Sequence, residues 1–91
     1  MDNNKIYYDN CNTLINAINQ CAMNDDNNTI RGELQTNPNL IPIYYKDCII
    51  NLDNYRYARK ITFSQHQIKY PYNRYYTITK THDNIEIELN D

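Results

Sequence analysis

Glycine is almost missing from this chain of 91 residues, where Gly32 is the only one. That scarcity excludes the G-x-G-x-x-G turn and the phosphate-cradling P-loop, which need backbone to approach a phosphate closely, and with them dinucleotide chemistry and nucleotide hydrolysis. It also hands the turns that need positive φ to the 16 asparagines, the side chain that best tolerates that region after glycine. Valine and tryptophan are absent and Phe63 is the single phenylalanine. A core must therefore come from 13 Ile and 5 Leu, with several of the 10 tyrosines packing their rings inward while the hydroxyl stays wet or bonded.

Serine is nearly missing too. Ser64 stands alone, in Phe63-Ser64-Gln65-His66, without the strand-to-helix elbow that exposes a nucleophilic serine. Long apolar runs are lacking: the longest are about six residues, far short of a membrane span. The start, Met1-Asp2-Asn3-Asn4-Lys5, has no basic segment followed by an apolar one, so a soluble, non-secreted protein of the cytoplasm (or of a host's cytoplasm or nucleus) is expected.

The three cysteines, Cys11, Cys21 and Cys48, have no paired spacing, which reads as reduced thiols. On one helix Cys11 and Cys21 stand roughly 15 Å apart, too far for a disulfide, so at most one of them meets Cys48. Zinc would need four ligands from these three with His66 and His82, and no C-x2-C or H-x3-H pair occurs. No metal and no cofactor are expected. A Cys48 nucleophile activated by His66 or His82 is allowed by residue type, but a buried structural cysteine is the simpler reading. Asp25 with Asp26, and Glu86 with Glu88, read as solvated faces rather than acid–base pairs. The chain is expected not to be an enzyme.

What is present is organised. Cys11, Leu14, Ile15, Ile18, Cys21 and Ala22 follow the i, i+3, i+4, i+7 spacing of an amphipathic helix over Asn10–Asn24. Asp9 or Asn10 suits its N-cap, and Asn24 the left-handed residue that ends it. Extended segments are expected at 5–8, 29–34, 40–45 and 48–52, and around Tyr57, Ile61 and Phe63, whose other face shows Arg56, Lys60 and Thr62, although Tyr57, Ala58 and Ile61 also fit a helical period over Tyr55 to Ile61. At the C-terminus Tyr76 and Ile78 alternate with threonines, His82-Asp83-Asn84 supplies turn residues, and Ile85, Ile87 and Leu89 alternate with Glu86 and Glu88. This is a hairpin in which Ile78 faces Ile87 or Leu89. The expected fold is α+β: a single domain over 1–91, with one N-terminal amphipathic helix packed on a mainly antiparallel sheet ending in a C-terminal hairpin.

Acidic residues are missing from one long stretch. Tyr55 to His82 carries six basic residues, six tyrosines and Phe63, while the other 63 residues hold 3 basic and 11 acidic side chains. The overall charge of -2 hides this +6 against -8 segregation, and such a surface attracts phosphate, carboxylate or an acidic protein face. The candidate contacts are Arg56, Lys60, Lys69, Tyr70, Tyr72 and Arg74, with cations giving attraction and tyrosines the desolvated anchors. A partner protein is the first expectation. Single-stranded nucleic acid is the alternative, since tyrosines stack on bases while Arg and Lys track the backbone, although the pI of about 5.5 is low for such a role. A competing reading has the tyrosines filling gaps in the core and the basic residues paired with this chain's own carboxylates. Asn, Ile and Tyr supply 39 residues, a bias that points to an AT-rich genome and to a viral or phage accessory or inhibitor protein.

Overall fold

The structure, a computed structural model, describes residues 3–36, 45, 49, 60–63 and 74–90. Among the described residues, helix α1 (Asn3–Met23) precedes four strands: β1 (Asn28–Glu33), β2 (Lys60–Phe63), β3 (Tyr75–Lys80) and β4 (Asn84–Asn90). The sheet order is β1-β3-β4-β2. β1/β3 and β3/β4 are antiparallel and β2/β4 is parallel. The α+β reading holds, as one helix on a mixed sheet with a C-terminal hairpin.

Helix α1 starts earlier than its spacing suggested. Ile6, Asn10, Cys11, Leu14, Ala17, Ile18 and Cys21 are all buried and share one stripe along the 3.6-residue period. The run Ile6-Tyr7-Tyr8 looks extended in isolation, yet it is helical, because Ile6 continues that stripe by one turn. Asn10, expected as a cap, is an interior residue. Lys5 and Asp9 form an i, i+4 pair at 2.9 Å. Hydrogen bonds from Lys5 and then from the Gln35 side chain hold the Asp9 carboxyl below its ordinary range.

Asn24 does not take the left-handed conformation. Asn27 does, at φ 65°, and its N–H donates to Lys80 O at 2.7 Å while Asn28 stands in register with Lys80. Two residues thus oppose one, as in a β-bulge entering β1. The trade of glycine for asparagine at positive φ is real, three residues later than expected.

The hairpin has the expected alternation. Ile78 pairs with Ile87, Tyr76 with Leu89, Thr77 with Glu88 and Thr79 with Glu86, so Tyr76, Ile78, Ile85, Ile87 and Leu89 are buried beneath α1, which packs on β3 and β1. Ile61 and Phe63 of β2 join that core from its edge. Tyr45 and Ile49 are buried within it. Ile49 has helical rather than the expected extended geometry, and the rest of 40–45 and 48–52 lies outside the described residues.

Gly32 is placed by the core, not by a turn. It stands opposite Tyr76, and a Cβ there would collide with the Tyr76 hydroxyl and ring. The missing side chain lets the phenol lie across β1 and close the core beside Leu34. Gly32→Ala is expected to cost about 1–3 kcal/mol, the usual range for overpacking. Denaturant unfolding checks this, with Tyr76→Leu in the same background expected to recover part of the loss.

Candidate protein-binding site

Two of the six candidate contacts lie among the described residues. Lys60 opens β2, exposed, in register with Asn84. Arg74, also exposed, leads into β3, donating its N–H to Asn90 O at 2.9 Å and accepting at its own carbonyl from Leu34 N–H at 2.7 Å. Asn84 and Asn90 are the two ends of β4, roughly 20 Å apart at strand rise. The sheet therefore separates Lys60 from Arg74 rather than bringing them together. Arg56, Lys69, Tyr70 and Tyr72 lie outside the described residues.

A third cation of the basic stretch is spent inside the protein. Lys80 is only 6% exposed, and its Nζ donates to Ala22 O at 2.8 Å and to Asn24 O, with Asp26 at 4.0 Å. Helix α1 has no basic residue in its own last turn. Lys80 supplies that charge from β3, satisfying carbonyls that the helix end leaves unpaired. For this residue the competing expectation, internal neutralisation, describes the structure.

The corner around Arg74 is different. On the sheet face away from α1, Arg31 and Glu33 of β1 stand in register with Thr77 and Tyr75 of β3. Arg31, Glu33, Arg74 and Tyr75 are all exposed, Tyr75 by 42%. A shallow cavity of about 330 Å³, lined by Arg31, Gly32, Glu33, Tyr75, Tyr76 and Thr77, opens there. Sequence reading missed Arg31, Glu33 and Tyr75. Arg31 and Glu33 lie far from the basic stretch in sequence, and Tyr75 belongs to a strand whose facing is fixed only once its register is known.

Catalytic groupings are scarce here. Among the described residues no three His, Cys, Asp or Glu side chains gather as a metal site would require. Cys11 is disulfide-bonded and Cys21 is a free, buried thiol, which corrects the expectation that all three cysteines are reduced; Cys48 lies outside the described residues. Cys21 faces Ile78 O at 3.7 Å, and burial pushes its thiol above the ordinary 9.0. A thiol held protonated is a poor nucleophile.

Burial also raises the Tyr45 phenol above 10.0, against the lowering effect of its bond from Asn10. Both groups keep their protons better in the folded chain than in the unfolded one. Well below pH 9.0 both states are protonated and nothing is lost; on approaching it the unfolded chain ionises first, so stability is expected to fall as pH rises through 9.0. Denaturation midpoints across this range check the slope, which Cys21→Ala with Tyr45→Phe is expected to flatten.

No helix among the described residues is long and apolar enough to cross a membrane. The chain matches no protein-family model, no curated protein and no solved structure.

Proposed function

We propose that this chain is a non-enzymatic binding module that engages a partner protein through the corner where Arg74 enters β3. The observation that carries this reading is the exposed set Arg31, Glu33 and Tyr75 around one cavity, with exposed Arg74 next to Tyr75 in the chain. Arginine and tyrosine bring large, rigid contact area at small entropic cost, which is why they dominate interface hot spots. Lys69, Tyr70 and Tyr72, which lie outside the described residues, come shortly before Arg74 in sequence and carry the same residue chemistry. The sense of an accessory or inhibitor protein acting on a host factor belongs to this proposal and rests on composition.

Nucleic acid is disfavoured by the charge along β4. Between the Lys60 end and the Arg74 end the open face carries Glu86 and Glu88, in register with Thr79 and Thr77, with Glu33 beside Tyr75. A phosphate backbone joining the two cations would cross those carboxylates. The test is capture from lysate of the proposed source. Arg74→Glu with Tyr75→Ala is expected to abolish recovery of a defined protein, whereas Lys60→Glu is expected to reduce it less; recovery unchanged by the double variant would reject the corner. Steeply salt-dependent binding of a labelled single strand would favour nucleic acid instead.

A further inference from the structure

The edge of β1 beside this corner is self-complementary. Among the described residues, β1 is the outermost strand on its side of the sheet. Leu34 N–H bonds to Arg74 O in the continuation of the Glu33–Tyr75 register, so Ile30, Gly32 and Leu34 turn their backbone bonds toward β3. Thr29, Arg31 and Glu33 turn theirs outward. The next outward residue, Gln35, is occupied: its N–H donates to Asn10 Oδ1 and its carbonyl accepts from Asn10 Nδ2, each at 2.9 Å. Among the described residues the open edge thus runs from Thr29 to Glu33, with a cation and an anion on one face at its end.

We propose that a second copy of this chain pairs with that edge, antiparallel about a two-fold axis at Gly32. The inference rests on reading this corner as an interaction surface and adds to it a homotypic contact along the strand edge. An axis at Gly32 sets Arg31 opposite Glu33 of the other copy, twice, and both pairs are of the hydrogen-bonded kind because both residues point outward. An axis at Arg31 would oppose two guanidinium groups and one at Glu33 two carboxylates, which are unfavourable cross-strand pairs. At the axis the two Gly32 residues meet without side chains. Charge therefore selects the register, and an edge that would otherwise pair with any strand gains a preference for its own kind.

Such an interface is small and falls among weak associations, so sedimentation equilibrium is run on the whole chain up to concentrations on the order of hundreds of micromolar. The wild type is expected to dimerise reversibly, and less so at high salt, since the pairs are exposed. Arg31→Glu alone and Glu33→Arg alone each place like charges opposite one another and are expected to weaken association about tenfold or more. Mixing the two single variants is expected to restore a heterodimer, and the exchange Arg31→Glu with Glu33→Arg a homodimer. Circular dichroism confirms that each variant is folded. A wild type that stays monomeric throughout, or a dimer indifferent to these reversals, overturns the inference. A monomer that still captures another protein in an Arg74- and Tyr75-dependent way would overturn it while leaving the functional reading standing, and the absence of both association and capture would remove both.

Discussion

Asn10→Ala is expected to lower unfolding free energy by about 3 kcal/mol. Asn10 is 1% exposed, and its amide is fully used: Nδ2 donates to Gln35 O and to Tyr45 Oη, each at 2.9 Å, and Oδ1 accepts from Gln35 N–H at 2.9 Å. It behaves as a strand partner for Gln35 and as an anchor for Tyr45, whose ring also stacks on Tyr7 with centroids 6.1 Å apart. Truncation removes the Asn10 donor from the buried Tyr45 hydroxyl, and the loss of a hydrogen bond at a buried group costs about 1–3 kcal/mol. The lost bonds to Gln35 add less, because Gln35 is exposed and water replaces them. A domain of this length has about 5–14 kcal/mol in total, so the melting temperature is expected to fall by at least about 10 °C. Tyr45→Phe is expected to cost about 1–2 kcal/mol. In the double variant the costs are expected to be less than additive, since both changes break the same bond. Additive costs would mean that the bond does not hold the two elements together.

The second large effect is expected at Lys80. Lys80→Met keeps the length and apolar stem of the side chain but removes the charge, leaving the carbonyls of Ala22 and Asn24 without their donor. Charge-assisted hydrogen bonds contribute about 1.5–3 kcal/mol each, offset in part by the relief of a buried charge, so a net loss of about 2–4 kcal/mol is expected. Lys60→Met, at an exposed strand start, is expected to change stability by under about 0.5 kcal/mol. Denaturant midpoints of the two variants separate a structural cation from a surface one. Equal effects would contradict the placement of Lys80.

These two residues mark where sequence reading stopped. The C-terminal hairpin was legible because its alternation is local: Ile78, Ile85, Ile87 and Leu89 declare a buried face, and a short turn fixes the register. The middle of α1 was legible for the same reason at a different period. Its N-terminal seven residues, Asn3 to Asp9, were not, because Asn10 counts as polar until Gln35 and Tyr45 supply its partners. Lys80 counts only as one cation of the basic stretch until the fold, rather than the local sequence, brings the end of β3 under the end of α1. The parallel pairing of β2 with β4 likewise depends on a long connection that alternation does not describe.

The binding site was legible only in kind. Charge segregation singled out Arg74 and the tyrosines preceding it, and the structure puts Arg74 at the surface, next to an exposed Tyr75. It places Lys60 at the other end of β4 and turns Lys80 inward. Arg31 and Glu33 join the corner from the acidic part of the chain through strand pairing alone. A net charge per segment cannot show this, because it averages over residues that register sends to different faces and ends of the sheet.

The most direct measurement is a backbone amide chemical-shift map of the labelled chain as its captured partner protein is added. The account expects perturbations concentrated on Arg31, Gly32, Glu33, Arg74 and Tyr75, with little change at the exposed helix positions Asn12, Asn16 and Gln20 or at Lys60. Shifts centred on the exposed side of α1, with the Arg74 corner silent, would contradict it.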